Sequence, residues 1–275
     1  AAQRERIGAT DWKAPDSGSN ALDFYNDTAG REQYYTNDLT DHRRRITALL
    51  SEAPPRGGAV LEIGSGAGGL QGIGDDDYVA LDYSLTALRR FVDPRWQRVC
   101  GNAERLPLFG GSVRFLLTVT ALEHVPRADL AMQEVHRVLM PGGVAFLEPA
   151  WHCVQWVCDG VRRRPYHELN LRQKWAKLTL PVRQIPAVKG VTALPWRTAR
   201  RASWSVRRRP MKFAFKSLRA NYEQFWESDA DACSRLDSHE AILFFRSRGY
   251  EILSPRGGLV RELTARHEAV VVRKP

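Results

Sequence analysis

The sequence is poor in cysteine, holds no long apolar run and, over one long stretch, has almost no acid. Its four cysteines, Cys100, Cys153, Cys158 and Cys233, are too few and too scattered to frame a disulfide scaffold, and none forms the CxxC pair of a zinc site. They read as reduced, buried thiols of a cytoplasmic protein, and no metal is expected. No segment approaches the about 18 consecutive apolar residues that a membrane span needs, and the opening from Ala1 to Arg6 is polar rather than signal-like. A secreted or integral membrane protein is therefore not expected. With 43% hydrophobic and 26% charged residues, the 275-residue chain is also not collagen-like, coiled-coil or largely disordered.

The missing acids are the informative absence. Between Val161 and Arg219 stand seventeen Lys and Arg residues and a single acid, Glu168, so this segment carries +16 while the rest of a +10 chain carries −6. Such asymmetry points to an anionic partner for one region alone.

What is present begins with alternation. Residues 1–38 form a poorly patterned arm rich in Asp, Asn and Gly, and Asp41 to Glu52 reads as a helix stopped by Pro54-Pro55 and Gly57-Gly58. Short apolar runs at Ala59–Ile63, Tyr78–Asp82, Gln97–Cys100, Val113–Val119 and Val144–Leu147 read as strands, with helices over Ser84–Phe91 and Ala128–Met140 between them. The rhythm stops after Pro149 for about eighty residues that hold most of the basic charge and six of the eight tryptophans. It resumes at the capping box Asp237-Ser238-His239-Glu240, with a helix over Ala241–Arg248 and strands at Tyr250–Leu253 and His267–Arg273. Strands alternating with helices predict an α/β fold, a doubly wound, mostly parallel seven-stranded sheet with a basic insertion after the fifth strand. The chain divides accordingly into 1–150, an arm and the cofactor-binding part of the sheet; 151–235, the insertion; and 236–275, the closing helix and strands.

Glu62-Ile63-Gly64-Ser65-Gly66-Ala67-Gly68-Gly69 sits at the end of the first strand, and glycines there let backbone approach a ligand closely. Gly64, Gly66 and Gly69 satisfy GxGxxG with Asp82 at the distance of a ribose-binding acid, so a nicotinamide or flavin enzyme has to be weighed. Further motifs decide otherwise. Together with Leu81-Asp82-Tyr83-Ser84, Gly101-Asn102-Ala103-Glu104-Arg105-Leu106-Pro107-Leu108, Leu122-Glu123-His124-Val125 and Val138-Leu139-Met140-Pro141-Gly142-Gly143, the turn resembles the class I S-adenosylmethionine-dependent methyltransferases, in the branch acting mostly on small molecules, lipids and sugars. The resemblance covers roughly Val60 to Pro149 and implies a Rossmann-like sheet with S-adenosyl-L-methionine as cofactor and S-adenosyl-L-homocysteine as product. It also implies that Gly64, Gly66 and Gly68 face the methionine moiety, that Glu62 orients its amino group, that Asp82 with Tyr83 holds the ribose, and that Asn102, Ala103 and Glu104 line the adenine. The usual acid of the adenine segment is Asn102 here, whose amide oxygen still accepts a hydrogen bond.

Methyl transfer is an in-line displacement, so the protein aligns acceptor and methyl and, for a hydroxyl acceptor, removes a proton. The candidate catalytic residues stand where the fourth and fifth strands end: His124, Glu148 and His152, with Trp151 as a pocket wall. Each has a bland alternative in helix packing, in fixing a strand exit or at the surface, and His167, His239 and His267 are read as structural or surface residues. The insertion is expected to recognise the acceptor. Its run from Arg197 to Arg209 admits peripheral contact with an anionic membrane, with Trp196, Trp204, Phe213 and Phe215 dipping into it; contact with nucleic acid; or a solvated or partner-facing surface. Base-amine methylation is disfavoured, because Ala121-Leu122-Glu123-His124 replaces the Asp/Asn-Pro-Pro-aromatic signature. The expectation is methyl transfer to a small-molecule, sugar or lipid-linked acceptor, with oxygen favoured over nitrogen. The alternatives are a binding protein that kept the fold without catalysis and an RNA-directed methyltransferase.

Overall fold

The computed structural model describes residues 19–29, 39–55, 57–74, 77–91, 93, 95–183, 185–222, 228–264 and 268–275. Two helices, α1 (Ser19–Ala29) and α2 (Thr40–Leu50), precede the strands β1 (Ala59–Ile63), β2 (Tyr78–Asp82), β3 (Gln97–Cys100), β4 (Val113–Val119) and β5 (Leu139–Glu148), with α3 (Leu85–Leu88) and α4 (Ala128–Val138) between them. The closing part is α8 (Ser238–Arg246), β8 (Glu251–Ser254), α9 (Gly258–Thr264) and β9 (Val270–Arg273). The seven strands lie in the order β3-β2-β1-β4-β5-β9-β8, and β9 alone runs antiparallel to its neighbours. Every residue of β4 is buried, as expected for a central strand covered on both faces.

Two apolar layers cover the sheet. Met132 and Val135 of α4 join Phe244 and Phe245 of α8 on one face, and Ile46 of α2 joins Leu88 and Phe91 on the other. The chain leaves β1 toward β2 on one side and β4 lies on the other, so a crevice opens beyond the carboxyl end of β1, where such sheets bind ligands.

Several boundaries differ from the sequence reading. The arm expected over 1–38 contains α1, none of whose described side chains is buried; the Phe24 and Tyr25 rings pack against Tyr222, the Ser84 hydroxyl donates to Asn26 Oδ1 at 2.8 Å and the Tyr25 hydroxyl to Asp231 at 3.1 Å. Residues 1–18 and 30–38, and His267 and Trp226, lie outside the described residues. The helix expected over Ser84–Phe91 is one turn, with Ser84 accepting from the Ala87 N–H as its cap. Strand β5 starts earlier than Val144, because Pro141-Gly142-Gly143 is absorbed as an irregularity against β4 and the Gly142 N–H is taken by the Lys274 carbonyl at 3.0 Å.

Between β5 and α8 the alternation gives way to α5 (Gln155–Cys158), α6 (Leu171–Arg183) and α7 (Pro186–Arg207), and a two-stranded ribbon of β6 (Lys216–Ser217) and β7 (Ser234–Arg235). Helix α7 is anchored by arginines turned inward. Arg197, 1% exposed, donates through Nε and Nη2 to both oxygens of Asp237 at 3.2 and 2.8 Å and through Nη1 to the Leu263 carbonyl at 2.6 Å. Arg200 grips Glu240 at 2.9 Å, and Arg201 reaches Glu262 at 2.7 Å. Burial works against the Asp237 charge, yet Arg197 and His152 hold its carboxyl below the ordinary aspartate range. Phe213, expected at a membrane interface, is a core residue packed edge-on against Phe244, and Phe215 stacks on it.

Removing one partner of a buried pair strands the other charge. Arg197→Met is expected to lower the unfolding free energy by about 3 kcal/mol, against a change within about 0.5 kcal/mol for the adjacent exposed Trp196→Ser. Urea titration of both variants checks this, and equal effects would mean that Arg197 does not anchor α7.

Candidate functional site

The site starts from the turn after β1. Gly64, Gly66 and Gly68 have φ of +76°, +53° and +90°, a region that side-chain-bearing residues rarely adopt. At Gly64 a Cβ would stand 2.2 Å from the Ala121 methyl, and at Gly68 it would press on the Phe91 ring at 2.9 Å, so neither space nor backbone allows another residue. The turn is tied to the end of β2. The Gly64 and Ser65 N–H groups bond the Leu81 carbonyl, and the Gly66 N–H donates to Asp82 Oδ2 at 2.8 Å while the Ser84 N–H donates to Oδ1 at 2.8 Å. Burial raises the Asp82 pKa, opposed by these N–H donors, and each oxygen keeps a lone pair for a ligand hydroxyl.

This turn is one wall of a cavity of about 790 Å³. All nine residues expected at the cofactor, Glu62, Gly64, Gly66, Gly68, Asp82, Tyr83, Asn102, Ala103 and Glu104, line it. Glu62 is buried at its base with the Tyr78 hydroxyl donating to its carboxylate, and burial pushes its pKa up to about 8 although the Tyr78 bond pulls the other way. Asn102 Oδ1 accepts from the Glu104 N–H at 2.8 Å and so shapes the turn, with a second lone pair remaining. A backbone cradle that excludes Cβ atoms, a buried acid at its base and a carboxylate with acceptor capacity to spare fit an amino-acid end and a ribose. These residues would hold S-adenosylmethionine.

The opposite wall comes from distant parts of the chain. His124, on the turn after β4, places Nδ1 3.1 Å from Asp231, which also accepts from the Tyr25 hydroxyl of α1. The Tyr25 ring stands edge-on to both His124 and Tyr222, and Val125, Pro126 and Asp229 complete this side. Burial disfavours a charge on His124, but Asp231, Glu123 and Asp229 outweigh it and hold the imidazole protonated up to about pH 10. Asp231 is correspondingly below the ordinary aspartate range despite its burial, through His124. Glu123, His124 and Asp229 each offer a ligand atom within 4.8 Å of the others, a set a metal ion could use.

Of the three candidate catalytic residues, His124 alone lines the cavity. Glu148 pairs with Arg45 at 3.0 Å and lies 3.5 Å from His42, tying α2 to the end of β5. His152, with φ +69°, turns toward Arg197 and Asp237 in the anchor of α7. Trp151 is buried and donates from its indole to the Glu268 carbonyl at 3.1 Å instead of walling the pocket. Ala150 does reach the cavity, and the two residues that follow it do not. Tyr25, Tyr222, Asp229 and Asp231 were not among the expected residues. The one signal for the acids was their abrupt return after the basic segment ends at Arg219.

Residues 61–147 match the family described as methyltransferase domain. The chain is 27% identical over 178 residues to the ubiquinone/menaquinone biosynthesis C-methyltransferase UbiE of Rubrivivax gelatinosus, covering 55% of this chain and 65% of that one. It is 35% identical over 117 residues to the malonyl-[acyl-carrier protein] O-methyltransferase of Dechloromonas aromatica, covering 40% and 44%. Among solved structures, the YcgJ protein from Bacillus subtilis matches 44% of this chain and 58% of its own at 22% identity, with a TM-score of 0.37. The matched part thus spans about two thirds or less of these relatives. Residues 61–147, from β1 to β5, are thus a methyltransferase domain, and the glycine turn closed on Asp82 suits S-adenosylmethionine as its cofactor.

Proposed function

We propose that the protein transfers the methyl group of S-adenosylmethionine to the hydroxyl oxygen of a small-molecule, sugar or lipid-linked acceptor, and that the segment 151–235 recognises this acceptor. The observation that carries the reading is that the cofactor cradle and the His124–Asp231 pair share one cavity. Tyr222, Asp229 and Asp231, from the end of that segment, line the cavity and support its role in recognition. One relative is named a C-methyltransferase and another an O-methyltransferase. Both fit an acceptor oxygen that has lost its proton, since such an oxygen either takes the methyl or drives it onto a conjugated carbon.

When bound, the cofactor supplies an electrophilic methyl on a cationic sulfur. Asp82 receives the ribose hydroxyls, and Glu62 receives the amino group. In the cofactor-free protein His124 is an imidazolium. A second positive charge in the same cavity would lower the pH at which His124 loses its proton, and once neutral the imidazole beside Asp231 could take the proton of the acceptor hydroxyl. The proton taken from the acceptor would then rest on His124, where Asp231 stabilises the imidazolium.

Release of S-adenosylhomocysteine with hydroxylated apolar acceptors tests the reading, and cofactor binding without turnover on any of them would favour a binding protein. Asp82→Ala should weaken S-adenosylhomocysteine binding by on the order of 2–3 kcal/mol in calorimetry, and that ligand, unlike nicotinamide or flavin nucleotides, should raise the Tm. A Tm rise with the dinucleotides instead would overturn the cofactor assignment.

The pH dependence follows from Glu62. Below its value of about 8 the free carboxyl is protonated, whereas an ammonium ligand requires the carboxylate, so binding at pH 7 should release about one proton and tighten as pH rises toward 8. Calorimetry in buffers of different ionisation enthalpy measures this. Loss of the buffer dependence in Glu62→Gln is expected, and its absence in the parent would remove Glu62 from the amino-group site. For His124, replacement by Gln should reduce kcat about 100-fold or more and flatten the rise of kcat with pH. A change confined to KM would make His124 a binding residue only.

A further inference from the structure

Helices α6 and α7 have their polarity inverted. On α7 the cationic side chains Arg197, Arg200 and Arg201 point inward to Asp237, Glu240 and Glu262. Among the residues left outside, Val191, Pro195, Ala199, Ala202 and Val206 are spaced to share one helix face, with the exposed Thr192, Thr198 and Ser205 beside them. Val191 is 66% and Val206 84% exposed. On α6 the pattern repeats with larger side chains: Leu171, Trp175, Leu178 and Val182, at i, i+4, i+7 and i+11, are 85%, 63%, 64% and 58% exposed. Water does not favour two consecutive helices with apolar stripes outward, and scattered exposure does not produce such spacing.

Positive charge surrounds these stripes. Arg172 and Arg183 are exposed on α6, and Arg207, Arg208 and Arg209 are exposed where α7 ends, with Arg208 in a left-handed turn. Trp175 sits midway along the α6 stripe, and a tryptophan amid aliphatic residues with arginines beside it suits the boundary between headgroups and acyl chains. Among the described residues no helix is long and apolar enough to cross a bilayer.

We infer that the outer faces of α6 and α7 form a docking surface for an anionic lipid bilayer, with the apolar stripes entering the interface and the flanking arginines meeting acidic headgroups. Nucleic acid is disfavoured as the occupant: the inward pairing of Arg197, Arg200 and Arg201 takes three cations from the phosphate-binding face, and Trp175 is the one ring that the two stripes offer for a base to stack on. The inference deepens the proposal of a lipid-linked acceptor, but its test needs neither cofactor nor acceptor, so failure of one does not entail failure of the other.

The experiment is flotation of the protein with vesicles of phosphatidylcholine alone or with one quarter phosphatidylglycerol, at low and at high salt. Binding to the anionic vesicles is expected, tenfold or more above that to neutral ones, and reduced by salt. The triple change Leu171→Ser, Trp175→Ser, Leu178→Ser should lower it at least tenfold with the Tm preserved, because all three side chains are exposed. Arg207→Glu with Arg208→Glu and Arg209→Glu should do the same from the charged side, while Asp82→Ala should leave vesicle binding unchanged. Should the serine variant fold poorly, quenching of parent fluorescence by brominated acyl chains, diminished in Trp175→Phe, reports the same insertion. Equal binding to neutral and anionic vesicles, no binding to either, unchanged binding by the well-folded serine variant, tighter binding to a short RNA duplex, or a lipid-free dimer dissociated by the serine changes would each overturn the inference.

Discussion

The hydrogen bond from the Gly66 N–H to the Asp82 carboxylate is the constraint on which the site depends. It joins the turn after β1 to the end of β2, and with the Ser84 N–H it fixes the carboxylate from two sides. A carboxylate held by two backbone donors keeps its orientation before any ligand arrives, which lowers the ordering cost of binding. Gly64 and Gly68 serve the same end by giving Ala121 and Phe91 the space that side chains would take. The parallel sheet presents these loops side by side because β1 stands between β2 and β4.

Across the cavity the organising force is charge held out of water. Glu123, Asp229 and Asp231 around a single histidine would repel one another at high cost if left alone, and the proton on His124 offsets them. A further positive charge entering the cavity would disfavour that proton. Tyr25 brings α1 into this network through Asp231, so a helix outside the sheet becomes part of the site.

The helical segment between β5 and α8 handles charge in another way. Its arginines fasten α7 to Asp237, Glu240 and Glu262, and this bonding turns the apolar side of the helix outward. A high count of basic residues is therefore no measure of basic surface: part of it is internal wiring, and part of it, around Arg207 to Arg209, faces outward.

The sequence by itself determined the strands Ala59–Ile63, Tyr78–Asp82, Gln97–Cys100 and Val113–Val119, the sheet they build and the cofactor wall, because these depend on short-range signals: apolar runs, glycines where φ is positive and an acid at a strand end. Tertiary structure decided the wall across the cavity from the glycine turn. His124 meets Asp231, and Asp231 meets Tyr25 from 206 residues away, and no local periodicity encodes such a meeting. It also decided that His152 and Glu148 turn away from the cavity, since the direction of a side chain just past a strand end depends on where the chain bends and on which distant ion, Arg197 or Arg45, draws it. The inward arginines of α7 obey the same rule, for a basic residue shows its charge in the sequence, but whether that charge faces water or a buried carboxylate depends on what packs beside it.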